Sequence, residues 1–83
     1  MDVELTPEAL EEFRDLPGTI QKRVQKVLTR LQDWPVVSGA RALSGNLAGW
    51  YRIRAGDYRI RFRVEPNRIT VDRIGHRKDV YED

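Results

Sequence analysis

Residues 50–64 read WYRIRAGDYRIRFRV, and this stretch limits the possible folds more than any other. Tyr51 and Ile53 alternate with Arg52 and Arg54, while Tyr58, Ile60, Phe62 and Val64 alternate with Arg59, Arg61 and Arg63. A period of two is that of a β-strand, so each run has one apolar face and one arginine face. Gly56-Asp57 between them suits a two-residue hairpin turn. With that loop, Ala55 faces Tyr58, Arg54 faces Arg59, Ile53 faces Ile60, Arg52 faces Arg61, and Tyr51 faces Phe62. The apolar pairs fall on one side of the ribbon and the like-charged pairs on the other. Directly opposed like charges destabilise a sheet, and no acid is interleaved on that face. It therefore reads as a site built for an anion, phosphate above all, whose oxygens match the planar guanidinium fork. A solvated face that only keeps the protein soluble is the weaker reading.

Eighty-three residues make one small domain with one thin core. Cysteine is absent and there is a single histidine, so neither a disulfide framework nor a thiolate or histidine-rich metal site is expected. No apolar run reaches the ~20 residues of a membrane span, and MDVEL is not a signal segment, so a cytoplasmic location is expected. The net charge of +2 hides a division. Residues 1–40 carry five Lys/Arg against seven Asp/Glu, and residues 41–83 carry ten against six. Eight of the twelve arginines fall between Arg52 and Arg77. An arginine-heavy second half points to nucleic acid or an acidic protein segment as partner.

In chain order, Asp2 to Leu5 reads as an edge strand. Thr6-Pro7-Glu8 starts a helix, with Thr6 as cap, Pro7 at the first helical position and Glu8 at the positive end of the dipole. Leu16-Pro17-Gly18 ends it. A second helix runs from about Thr19 to Asp33, with Ile20, Val24, Val27, Leu28 and Leu31 on one face and Lys22, Arg23, Lys26 and Arg30 on the other. That basic face is a solvated surface, with contact to RNA phosphates a minority reading. Trp34-Pro35 stops the helix. Residues 36–48 form a loop anchored by Leu43 and Leu47, with a turn at Ser44-Gly45-Asn46. After the arginine hairpin, Pro66-Asn67 turns the chain into a strand from Arg68 to Ile74. Its phase is ambiguous, because Ile69 and Val71 lie on one side and Ile74 on the other. Either both faces of this strand are partly covered or a bulge sits near Asp72. The expected fold class is α+β: an antiparallel sheet of about four strands, element order β-α-α-β-β-β, with a two-helix hairpin on one face.

The segments LSGNLAGWYRIRAGDYRIRF and IGHRKDVY resemble the RelE/ParE superfamily of toxin–antitoxin toxins, most closely its RelE-like branch. The resemblance covers nearly the whole chain, and its specific part is the hairpin with the terminal Arg-x-x-x-Tyr. It implies a ribosome-dependent endoribonuclease that cuts mRNA in the ribosomal A site, with rRNA contacts, and that a cognate antitoxin silences. It implies no cofactor, metal or membrane. By position, the family's catalytic residues fall on Arg52, Arg54, Arg59, Arg77 and Tyr81. The best-known branch has lysines where Arg52 and Arg54 stand, and spaces its terminal arginine and tyrosine further apart. Arginine stays protonated, so a general-base role does not transfer to positions 52 and 54, whereas phosphate binding does.

RNA can be cleaved by its own 2′-hydroxyl attacking the adjacent phosphate, with no metal. On that chemistry Arg52, Arg54 and Arg59 clamp the phosphate and Arg77 neutralises the leaving oxygen. Tyr81 stacks on a base, orients the hydroxyl, or takes its proton if the arginines lower a phenol from ~10. Arg61 and His76 are further candidate RNA contacts, and imidazole is the side chain that titrates nearest neutrality. Each has a plainer reading. The first three arginines also suit antitoxin docking, Arg61 and Arg63 suit plain surface, and Trp50 suits stacking on Arg63. His76 suits a hydrogen-bonded strand end, and Tyr81 packing of the tail. Carboxylate base roles for Glu65 and Asp72 are weak. Two other functions stay open: a ParE-like gyrase poison, and an inert relic that only binds an antitoxin.

Overall fold

The computed structural model describes residues 1–78. Two helices, α1 (Pro7–Arg14) and α2 (Gly18–Leu31), lie on one face of a sheet of five strands. The strands are β1 (Asp2–Leu5), β2 (Arg41–Ala42), β3 (Trp50–Ala55), β4 (Tyr58–Glu65) and β5 (Arg68–His76), in the order β1-β5-β4-β3-β2. The α+β expectation holds, with two additions. Residues 41–42, expected in a loop, add a short strand beside β3, and Gly45–Leu47 form a single 3-10 turn. β1 pairs parallel with β5, whereas β2 to β5 pair antiparallel. Hairpin reasoning covers only chain neighbours, so the partner of β1 was not accessible to it.

Local chemistry accounts for the helices. Thr6 caps α1, its Oγ1 accepting from the Ala9 N–H at 3.1 Å, with Pro7 just inside the helix. α2 starts one residue before Thr19, because the Pro17 carbonyl already accepts from the Ile20 and Gln21 N–H groups at 2.9 Å each. Gln21 on α2 then donates through Nε2 to the Phe13 and Arg14 carbonyls at 3.0 and 3.2 Å. These are acceptors that the end of α1 leaves unsatisfied. One side chain thus joins the two helices across a three-residue link.

The core lies between the helices and the apolar face of the hairpin. Val24, Leu28 and Leu31 pack on Ile53, Ile60, Phe62, Ile69 and Val71. Trp34, just past α2, meets Tyr51 edge-on at 4.9 Å and Phe62 at 5.5 Å. Tyr51 and Phe62 stack at 5.6 Å. Full burial of a side chain such as Phe62 contributes about 1.5–3 kcal/mol, so this face fixes the register of the hairpin. Leu43 is buried as an anchor of the connecting segment.

Two irregularities on β5 complete the sheet. Arg61 pairs with Arg73 and Phe62 with Val71, so Asp72 is the extra residue of a β-bulge. The bulge shifts the phase by one, which is how Ile69, Val71 and Ile74 are all buried. Beyond Val71, the outer edge of β5 has no strand beside it among the described residues. There α1 supplies Glu12, which accepts from the Ile74 N–H at 2.7 Å and from Arg73 Nε at 3.1 Å.

At the hairpin turn Gly56 has φ +63°, and a Cβ there would sit 2.9 Å from Nη1 of Arg23, which reaches over from α2. Gly56→Ala is expected to destabilise the fold by roughly 1–3 kcal/mol, read by urea unfolding. The cost lies in the backbone dihedral and not in the flexible tip of Arg23. Adding Arg23→Ala to that variant should therefore recover little of it.

Candidate nucleic-acid interface

The β3–β4 register is the one the alternation predicts, pair by pair: Arg54 with Arg59, Arg52 with Arg61, and Trp50 with Arg63. These three rows occupy the sheet face opposite the helices, since the intervening Ile53, Ile60 and Phe62 enter the core. Cross-strand neighbours have Cα atoms about 4.5–5.5 Å apart, so the side chains of each row leave the sheet side by side. β2 adds Arg41 beside Arg52, an arginine that loop reasoning did not attach to the site. The β2–β3 register alone reveals it.

The rows differ in environment. Arg54 is exposed at the hairpin tip. Opposite it Arg59 is only 7 % exposed, with Nε and Nη1 shut off from solvent. Burying a guanidinium is costly, so Arg59 is held by its surroundings and not by water. The Arg77 N–H donates to the Asp57 carbonyl at 2.8 Å, which ties the end of the described chain to the same turn. Arg54, Arg59 and Arg77 thus share the hairpin-tip end of the sheet, with Arg52 one row behind. Tyr81 lies outside the described residues.

The middle and far rows carry acids, which corrects the expectation that none is interleaved on this face. Asp72, at the bulge, takes Arg61 in a two-point ion pair: Nε to Oδ1 at 2.9 Å and Nη2 to Oδ2 at 2.7 Å. Both side chains are about one-fifth exposed, at 19 % and 21 %. The hydrogen bond to Asp72, opposed by burial, raises the Arg61 pKa further above its ordinary value. Arg61 is thus committed to the protein's own carboxylate. Alternation from Ile69 and Val71 already puts Asp72 with Thr70 on the arginine face, so this acid was legible in β5 although not in the hairpin alone. At the far end Glu65 accepts from Thr70 Oγ1 at 2.7 Å and Arg68 Nε at 3.0 Å. The Thr70 bond first, then Arg68, lowers its carboxyl below the ordinary range. Arg63 reaches Glu65 only at 3.5 Å, and the Arg61 and Arg63 guanidiniums lie 5.4 and 5.1 Å from the Trp50 ring centroid.

His76 is set apart from this group. It pairs with Tyr58, and that pair shares the helix-side face with Ile60 and Ile74. Its ring meets Tyr58 edge-on at 5.4 Å, and its Nδ1 accepts from the Lys78 N–H at 3.2 Å. A cleft of about 280 Å³ lies there, lined by Glu12, Asp15, Pro17, Tyr58, Ile74 and His76. The sheet therefore separates His76 from Arg54 and Arg59. Among the described residues no group of three or more His, Asp or Glu side chains is arranged to hold a metal ion. No helix among them is long and apolar enough to cross a membrane.

Comparison with known proteins decides the family. Residues 3–81 match the model of the ParE toxin of the type II toxin–antitoxin system parDE. The chain belongs to this RelE/ParE toxin family. It is a type II toxin–antitoxin toxin. It is 29 % identical over 76 residues to Toxin RelE3 of Methanocaldococcus jannaschii, covering 88 % of this chain and 86 % of that protein. Among solved structures it resembles the RelBE2 toxin–antitoxin complex of Mycobacterium tuberculosis, with TM-score 0.81 and 26 % identity over 90 % of this chain and 95 % of the other. The RelB–RelE antitoxin–toxin complex of Methanococcus jannaschii is similar at TM-score 0.76 and 26 % identity, covering 93 % of each chain. The isolated Escherichia coli RelE toxin shares the fold, with TM-score 0.75 and 20 % identity over 90 % of this toxin and 82 % of that chain.

Asp72 is expected to act in this toxin as the counter-charge that makes Arg61 tolerable. Asp72→Ala should lower stability by roughly 1–3 kcal/mol, since it strands a part-buried guanidinium. Adding Arg61→Ala should cost less than the sum of the two single changes. A urea-unfolding double-mutant cycle measures the difference.

Proposed function

We propose that this toxin is an endoribonuclease that cleaves translated mRNA in the ribosomal A site and is held inactive by a cognate antitoxin. The observation that carries the reading is the pairing of Arg54 with Arg59 at the hairpin tip, with Arg52 one row behind and Arg77 tied to the turn. Three or four guanidiniums in so small a space suit one phosphate group and the charge it gains during reaction. The antitoxin partner is supported by similar proteins that were solved as toxin–antitoxin complexes.

The chemistry balances without an added nucleophile. The RNA 2′-hydroxyl oxygen bonds to the adjacent phosphorus, the bond from phosphorus to the 5′-oxygen breaks, and a 2′,3′-cyclic phosphate is left. Arg54 and Arg59 hold the non-bridging oxygens, whose negative charge grows as the fifth bond forms. Arg52 supports them from the next row. Arg77 neutralises the charge on the leaving 5′-oxygen, which takes its proton from solvent. The proton from the 2′-hydroxyl goes to Tyr81 in its phenolate form or to solvent, because none of the arginines can accept it. His76, across the sheet, takes no part in the proton transfers, and Arg61 is engaged with Asp72.

A second reading has one observation in its favour: the matching family model describes ParE. A ParE-like toxin would poison gyrase through protein contact. Primer extension on a translated transcript after induction separates the two. Cuts within codons are expected. Intact message with broken chromosomal DNA would instead establish gyrase poisoning, and unhindered growth would mark a relic. Arg59→Ala with Tyr81→Ala should abolish cleavage, and Arg59→Ala alone should lower it by about 10²–10³-fold. Each variant should still melt as a folded protein. Affinity of the free toxin for single-stranded RNA should fall steeply with rising salt.

A further inference from the structure

We propose that the far end of the arginine face, Trp50 with Arg63, is a stacking subsite for an unpaired nucleotide beside the cleaved bond. This rests on the RNA-cleaving reading but extends it to residues that the reading does not use.

Alternation sends Tyr51 into the core and Trp50 out onto the arginine face. A large aromatic ring there adds nothing to the core formed by Ile53, Ile60 and Phe62. It stands two residues from Arg52 and four from Arg54. Those intervals are roughly 7 and 13 Å at the rise of a strand, short enough for neighbouring nucleotides of one RNA strand to span. An aromatic ring in line with a row of cations is the arrangement by which proteins hold single-stranded nucleic acid: bases stack on the ring while the cations follow the backbone.

The two guanidiniums beside the ring are held differently. Arg61 is fixed by two short bonds to Asp72, so it serves as a rigid support for Trp50 and not as a phosphate ligand. Arg63 is 46 % exposed, and among the described residues its one ion pair is the 3.5 Å contact to Glu65, whose closer partners are Thr70 and Arg68. Arg63 can therefore leave the ring for a phosphate at little cost, which opens the indole to a base. Such stacking tolerates any base, so the subsite would strengthen binding and fix register without setting a strong sequence preference.

The test is binding of the full-length free toxin to an RNA of about ten nucleotides blocked against cleavage by 2′-O-methyl groups. Trp50→Ala should weaken binding roughly 5- to 100-fold, and Trp50→Phe should keep most of the affinity. Arg63→Ala should reduce the slope of log affinity against log salt by about one. An abasic nucleotide moved along the RNA should weaken wild-type binding at one position, and Trp50→Ala should be blind to it. If Trp50→Ala binds as wild type while Arg59→Ala does not, the subsite is refuted and the RNA reading stands. If the wild type binds no RNA and cuts no message, the RNA reading fails, and the subsite with it. A variant that loses only the cognate antitoxin would overturn the proposal in favour of a protein contact.

Discussion

The register of β3 against β4 is the constraint on which the rest of the structure depends. A slip of one residue would carry every arginine of the hairpin into the core and every isoleucine into solvent. Two features prevent it. Ile53, Ile60 and Phe62 are buried under α2 and β5, and Gly56 takes the positive φ that a two-residue turn needs. Like-charged pairs oppose one another in consequence of that register and not in spite of it. The apolar side of the ribbon sets the geometry, and the polar side must accommodate whatever repulsion follows.

The accommodation is uneven along the face. Carboxylates gather at its middle and far end, where Asp72 binds Arg61 and Glu65 sits among Arg63, Arg68 and Thr70. Asp72 lies with Thr70 on the side away from Ile69 and Val71, and the bulge there returns Ile74 to the core. The opposite end, at the hairpin tip, has Arg54 in solvent and Arg59 enclosed.

This division explains what the sequence disclosed. The hairpin was legible because two strands and their turn are contiguous, and alternation over fourteen residues admits one register. The helix starts were legible because capping is local, as Thr6 and Pro7 illustrate. The parallel pairing of β1 with β5 was not, since it joins segments more than sixty residues apart. Neither was Arg41, which reaches the face only because two residues of a loop add to the sheet edge. His76 illustrates a further limit, because its face depends on the phase of β5, which the sequence left ambiguous.

The same physics bears on inhibition. A carboxylate and a phosphate can each accept two hydrogen bonds from the planar guanidinium fork, so a surface that stabilises one accepts the other. Asp72 already demonstrates this on Arg61, within the protein and at 2.7–2.9 Å. An antitoxin segment bearing acids at the spacing of Arg52, Arg54 and Arg59 would repeat that contact at the tip. Inhibition would then follow from occupancy alone, without any change of toxin shape. The arginines that make the proposed site effective would also be the ones that make it easy to silence, and no substitution among them should separate the two properties cleanly.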